Sequence, residues 1–223
     1  MADHNEPVAV LGLGRFGSAL ALELHSRGTE VLCVDNDSKI TQGFAGDLSH
    51  LVVADTTDAE AMRELGIAEF RHAVVAIGTN VEASILTTAV LAELGVADIW
   101  AKAISRQHGR ILDRVGAHHV VLPEHDMGER VAHLLTGQML DYIEVDADFA
   151  VVKTTPPRGI VGVPLGETGL RKEYDVTVVA VKPQSKGGDP SFTYATADTV
   201  LADGDIVLVV GPIGAVERFA NAD

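Results

Sequence analysis

Gly12, Gly14 and Gly17 stand in G-x-G-x-x-G spacing within VLGLGRFGSALALEL, after an apolar β-branched run and at the head of a helical pattern. In a site of this type the first glycine permits a tight turn, the second lets backbone approach a diphosphate, and the third lets helix and strand pack closely. The free N–H groups and the dipole of such a helix favour phosphate at its start. Asp35 closes the next apolar run, VLCVD, 23 residues after Gly12. An acidic side chain there can accept hydrogen bonds from both ribose hydroxyls and repels a 2′-phosphate, so NADP is disfavoured. Asp37 reads better as the cap of a helix beginning near Ser38, with a share in the ribose as the alternative. Arg15, between the second and third glycines, departs from a plain dinucleotide pattern. Its guanidinium can fork onto phosphate oxygens, and the terminal polyphosphate of ATP rewards that more than the nicotinamide riboside half of NAD. The alternative is an arginine folded out into solvent.

Asp55, Asn80 and Lys102 each follow an apolar run, which puts them on the carboxyl side of a parallel sheet, where such folds bind ligands. Turn capping for Asp55 and Asn80, and a solvated end for Lys102, are the plainer roles. All three together point to one crevice. Glu124, after Pro123, could bind a divalent cation or simply favour a helix N-terminus. A hard ion such as Mg2+ or Ca2+ suits carboxylate and phosphate oxygens. His108 reads, from the residues alone, as a surface histidine on a helix. The sequence holds no P-loop, no G-x-S-x-G elbow, no H-E-x-x-H and no paired-Cys zinc spacing. Hydride transfer would need an acid or base beside a nicotinamide, and no matching motif is present. An NAD-dependent oxidoreductase and a redox-sensing transcriptional regulator are therefore the rivals to a non-catalytic nucleotide-binding reading.

Six runs must position these residues: PVAVLG, TEVLCVD, SHLVVAD, HAVVAIG, ADIWAKA and HHVVLP. Their spacing of roughly 20 residues, with helical patterns between, predicts an α/β fold with a Rossmann-like, doubly wound parallel sheet. The helix VEASILTTAVLAEL is apolar along two lines, Val81–Ile85–Ala89–Ala92 and Leu86–Val90–Leu94. It is either buried on two sides of its own domain or shared with a second subunit. Composition changes near residue 138, dividing the chain into 1–137 and a smaller α+β domain, 138–223. There YIEVDADFAVVKTT, VTVVAVK and DIVLVVG read as strands, with helical pieces near Gly166–Tyr174 and after Pro212, punctuated by Pro156-Pro157, Gly162, Gly187-Gly188 and Pro190.

The net charge of −15 over 223 residues divides into −9 and −6 between these domains, and neither offers a basic stripe. Nucleic acid is thus not expected as a partner. Hydrophobic residues at 47% and charged residues at 22% belong to a folded chain whose cores, with aromatics at 4%, must be Val, Leu, Ile and Ala. The single cysteine, Cys33, lies in an apolar run and is expected buried and reduced. MADHNEP has neither a basic n-region nor an apolar h-region, and no apolar stretch approaches the roughly 18 residues of a membrane span. A cytoplasmic protein is expected, held at any membrane by something else.

Four segments together resemble the RCK-domain regulators of Ktr and Trk potassium uptake: VLGLGRFGSAL, VVADTTD, AIGTNVEASILTTAVLAELG and KAISRQHGRILDRVGAHHVVLPEHDMGERVA. The likeness is nearest to KtrA-type subunits and runs over essentially the whole chain. It implies a domain binding ATP or ADP, and in some members NAD or NADH. By resemblance Arg15, next to Phe16, meets the outer phosphates, Asp35 and Asn36 the ribose, and Asp55 and Thr56 the adenine. Gly78, Thr79 and Asn80 form the loop after the fourth strand, while Lys102, Ala103, Ile104 and His108 lie at the nucleotide's edge. Glu124 helps to hold a cation near the γ-phosphate. Ala54 stands where the family usually has glycine before Asp55. The resemblance further implies a homodimer assembling to an octameric ring on a membrane channel subunit of KtrB or TrkH type, peripheral to the inner face of the membrane. It also implies a C-terminal domain that in some relatives binds cyclic di-AMP.

Overall fold

The computed structural model describes residues 6–184 and 191–222, so MADHN, Gly187-Gly188 and Pro190 lie outside the described residues. The chain divides into two compact units, Met1–Glu124 and His125–Asp223.

The first unit alternates strand and helix: β1 (Val8–Leu11), α1 (Arg15–Ser26), β2 (Val31–Asp35), α2 (Ser38–Gly43), β3 (His50–Val53), α3 (Ala59–Glu64), β4 (His72–Val75), α4 (Val81–Glu93), β5 (Asp98–Lys102), α5 (Arg106–Arg114) and β6 (His119–Val121). The strands pair in the order β3-β2-β1-β4-β5-β6, all parallel. β1, β2 and β4 are near-continuous apolar runs because both faces of the sheet are covered. Leu11, Val34, Val75, Ile99 and Leu112 are fully buried between sheet and helices. Chain order reverses between β1 and β4, and the crevice of such a sheet opens at that switch, beyond the carboxyl ends.

Helix α4 departs from the apolar stripes expected of it. Its buried side carries Ser84, Thr87 and Thr88 with Val90 and Leu91. Two of these hydroxyls find partners, Thr87 Oγ1 with Thr56 Oγ1 at 2.7 Å and Thr88 Oγ1 with the Ser84 carbonyl at 2.8 Å. Small polar side chains that are satisfied in this way let the helix lie close to the sheet. Val81 and Leu86 remain exposed on its other side.

Helix α6 (Pro123–Thr136) begins at the end of the first unit and continues as part of the second. There follow β7 (Met139–Asp146), β8 (Phe149–Thr154), α7 (Leu170–Glu173), β9 (Thr177–Lys182), β10 (Thr193–Tyr194), β11 (Ile206–Pro212) and α8 (Ile213–Ala220). The sheet runs β10-β9-β11-β8-β7, antiparallel throughout. Its core holds Tyr142, Val152, Val207, Val209 and Phe219. Composition changes at 138 because strands start there, yet the helix before it packs with them. His133 stacks on Tyr142 at 4.1 Å and bonds Glu217 at 3.1 Å, and Arg130 pairs with Asp141. Among the described residues no helix is long and apolar enough to cross a membrane.

Candidate functional site

The Gly-rich loop is built as its spacing requires. Gly12 sits at φ +97°, a conformation that costs a side-chain-bearing residue dearly. A Cβ on Gly17 would lie 1.9 Å from the Gly12 carbonyl oxygen, so only glycine lets α1 approach this closely. A Cβ on Gly14 would meet nothing within 4 Å. That space lies over the start of α1, and here the helices differ. Asp37, Asp58, Asn80 and Ser105 cap α2, α3, α4 and α5 through their side chains, whereas α1 has no side-chain cap. Its first N–H groups are left for water or for an anion from outside.

A cavity of about 630 Å3 opens over this helix end. Of the residues singled out in the sequence it is lined by Gly12, Gly14, Arg15, Phe16, Asp35, Asn36, Asp37, Asp55, Thr56, Gly78, Thr79, Asn80, Lys102, Ile104 and Glu124. Gly17, Ala103 and His108 stand outside the lining. Gly17 serves packing, and Ala103 is buried in the core. Four apolar residues, Ile40, Ala76, Ile77 and Ala83, complete the wall. Sequence reasoning passed over them because it looked for polar groups. Ile40 was within reach, as the first apolar residue of the helix that follows Asp35.

Asp35 is 9% exposed, and it first serves the loop itself. Leu13 N–H donates to Oδ2 at 2.6 Å and Asp37 N–H to Oδ1 at 2.9 Å. Each carboxylate oxygen has a second lone pair, so the same side chain can hold the loop and accept from a ribose. Asp37 caps α2 by accepting from Lys39 N–H at 2.8 Å. Asn80 caps α4 by accepting from Ala83 N–H at 3.0 Å. Both plainer roles are realised, and both residues still border the cavity. The hydroxyl and N–H of Thr57 donate to Asp55 and hold its carboxyl below the usual range.

Lys102 is not a solvated strand end. It is 8% exposed, and its ammonium donates to Glu124 Oε1 at 2.6 Å. Nζ stands 5.8 Å from the centre of the Phe16 ring. This hydrogen bond, aided by the charges of Lys102 and Arg15, outweighs burial and lowers the Glu124 carboxyl below its usual range. His108, read from its residues as a surface histidine, is 4% exposed on the inner side of α5. The N–H of Ile104 donates to its Nδ1 at 3.4 Å, which leaves the proton of the neutral ring on a buried, unpartnered Nε2. Burial lowers its pKa, disfavouring the charged ring.

The lining contains no His, Cys, Ser or Tyr. The arrangement offers an uncapped helix end and a guanidinium for phosphates, the acidic end of β2 for a sugar, and an apolar wall for a base. Among the described residues no group of three His, Cys, Asp or Glu side chains could hold a metal ion. In the second unit a groove of about 510 Å3 runs past Gly169, Arg171, Lys172, Thr177 and Thr196.

Residues 8–123 match the TrkA-N domain family and residues 149–222 the TrkA-C domain family. The Ktr system potassium uptake protein C of Bacillus subtilis (strain 168) is 37% identical over 212 residues, 95% of this chain and 94% of that protein. The Ktr system potassium uptake protein A of Vibrio alginolyticus is 35% identical over 222 residues, covering 99% and 98%. In fold the chain is similar to the GsuK channel bound to NAD, with a TM-score of 0.66 at 18% identity over 99% of this chain and 40% of that one. With a TrkA-N domain ahead of a TrkA-C domain and near full-length relatives in two Ktr systems, the chain belongs to the TrkA family of Ktr- and Trk-type potassium uptake proteins.

Proposed function

We propose that the chain is a cytosolic nucleotide-sensing subunit that gates a membrane potassium transporter and is not an enzyme. The observation that carries this is the uncapped start of α1 at a cavity lined by both Arg15 and Asp35. An adenine nucleotide satisfies each part. Its phosphates take the helix end and Arg15, its ribose takes Asp35 with Asn36 and Asp37, and its base lies against Ile40 near Asp55 and Thr56. Gly78, Thr79 and Asn80 also line the cavity.

ATP and ADP are the ligands proposed first because Arg15 rewards a terminal phosphate. NAD or NADH is the second reading, supported by the GsuK channel, whose fold spans this chain and which was solved bound to NAD. With Glu124 the one proposed metal ligand, a divalent cation here would draw its other oxygens from the nucleotide and from a second copy of the chain. The exposed Val81 and Leu86 of α4 fit such a copy, in a homodimer built up to an octameric ring on a KtrB- or TrkH-type subunit. Ligands then act by differential affinity for two ring shapes. The cationic groove of the second unit, with Arg171 and Lys172, is the proposed place for cyclic di-AMP. Potassium flux through the membrane subunit, reconstituted with this chain, tests the reading. A change in flux between ATP and ADP supports it, and flux indifferent to every nucleotide overturns it.

A further inference from the structure

The cavity carries two cations, Arg15 and Lys102, and four carboxylates, Asp35, Asp37, Asp55 and Glu124. Three carboxylates accept from nearby backbone or hydroxyl donors: Asp35 from the N–H groups of Leu13 and Asp37, Asp37 from Lys39 N–H, and Asp55 from Thr57. Glu124 differs, because its partner is a cation of the cavity itself. The pair is lopsided, with the Lys102 side chain 10% exposed and that of Glu124 62% exposed. Lys102 is also closely packed, since a Cβ on Gly78 would lie only 3.3 Å from its Nζ. The carboxylate is therefore the partner free to leave.

A buried ammonium needs an anion beside it, and removing one without replacement is costly. In the free protein Glu124 is that anion. A phosphate chain anchored at the start of α1 shares its cavity with this ammonium, since Lys102, at the end of β5, lines the same cavity as Gly14 and Arg15. Carboxylate and phosphate repel each other at such range, so they compete for Nζ.

We propose that Glu124 is a built-in rival of the ligand's terminal phosphate for Lys102, and that the site selects ligands by the charge on that phosphate. This rests on the nucleotide reading and names the residue that sets its specificity. Without a divalent cation, binding is an ion exchange: Nζ gives up Glu124 Oε1 and takes a phosphate oxygen, and Glu124 is left as a free carboxylate, which a cation can then take as its ligand. A terminal phosphate, nearly doubly charged, displaces it well. The inner phosphates of a dinucleotide, with one charge each, displace it poorly. Glu124 is the second residue of α6, so the exchange also changes what is bound at the head of that helix.

The test is titration calorimetry on the full chain without divalent cation, with ATP, ADP and NADH as probes. The proteins are the wild type, Glu124→Gln, Glu124→Ala, Lys102→Gln and the double variant Glu124→Gln with Lys102→Gln. Removing the rival charge should tighten ATP and ADP about tenfold, the order of one short charge-assisted contact, and NADH by much less. In the Lys102→Gln background the gain should vanish. Should Lys102→Gln fail to fold, an equal gain in both Glu124 variants carries the result. Unchanged or weaker cation-free ATP binding in both Glu124 variants, or a gain that survives the loss of Lys102, overturns the inference while the nucleotide reading stands. Wild-type protein that binds no nucleotide, with or without cation, overturns both.

Discussion

The two ends of the parallel sheet carry charged residues in comparable number and use them in opposite ways. At the amino ends Asp98 accepts from His72 Nδ1 at 2.8 Å and Trp100 Nε1 at 3.1 Å, and pairs with His119 Nε2 at 3.2 Å. His72 also reaches Glu6 through Nε2, and Trp100 stacks on His119 at 4.2 Å. These groups satisfy one another. At the carboxyl ends the start of α1 is uncapped, Asp35 holds the loop with lone pairs to spare, and Lys102 is matched by a side chain free to leave. One end is a closed network and the other is poised for something from outside, although a single chain pattern built both. The proposed ligand is thus received at the end where polar groups are positioned but incompletely satisfied.

That contrast can be broken at several points. Gly17→Ala should have the largest effect, because its Cβ would meet the Gly12 carbonyl at 1.9 Å. A loss of about 3 kcal/mol or more is expected in a denaturant titration. Gly14→Ala should leave stability unchanged to within about 0.5 kcal/mol, since its Cβ meets nothing. It should nonetheless weaken nucleotide binding about tenfold by occupying the phosphate's place. Unfolding and calorimetry on the same sample separate the two.

Asp98→Asn tests the closed end and should cost about 1 kcal/mol without touching nucleotide affinity. Burial pushes the Asp98 carboxyl up, but the hydrogen bonds from His72 and Trp100 and the charge of His119 outweigh it and leave it below the usual range. A carboxyl lowered on folding stabilises the native state above its unfolded pKa. Its contribution is lost as pH falls through the folded value, so the gap between wild type and variant should close in acid. His108→Gln should show the smallest effect. Burial lowers the folded pKa of His108 below 6.5, so as pH drops past that value the unfolded chain takes up a proton before the folded one does. Wild-type stability should fall there, and the variant should show a shallower slope in thermal scans across that window.

Much of the first unit was legible because its apolar runs are the strands. Glycine spacing and the acidic end of β2 likewise located the cavity, since a parallel sheet puts strand ends and the first helix in one place. What stayed hidden depends on contacts distant in sequence. The bond between Lys102 and Glu124 spans 22 residues and joins groups whose separate patterns point to a solvated lysine and a helix-terminal acid. The burial of His108 and the partnered hydroxyls of Thr87 and Thr88 on α4 arise from packing of helix on sheet. Strand β10 is two residues long and exists only through its pairing with β9. The allegiance of α6 is set by stacking and ion pairing with β7, to which composition is blind.

The most direct test of the central claim is calorimetric binding of ATP, ADP and NADH to the purified chain and to Arg15→Ala, with and without Mg2+ or Ca2+. The account predicts ATP binding that strengthens with the cation and weakens about tenfold or more in Arg15→Ala. NADH bound tightly and alone, with no response to Arg15→Ala, would contradict it and return the cavity to a dinucleotide site of dehydrogenase or redox-sensing type.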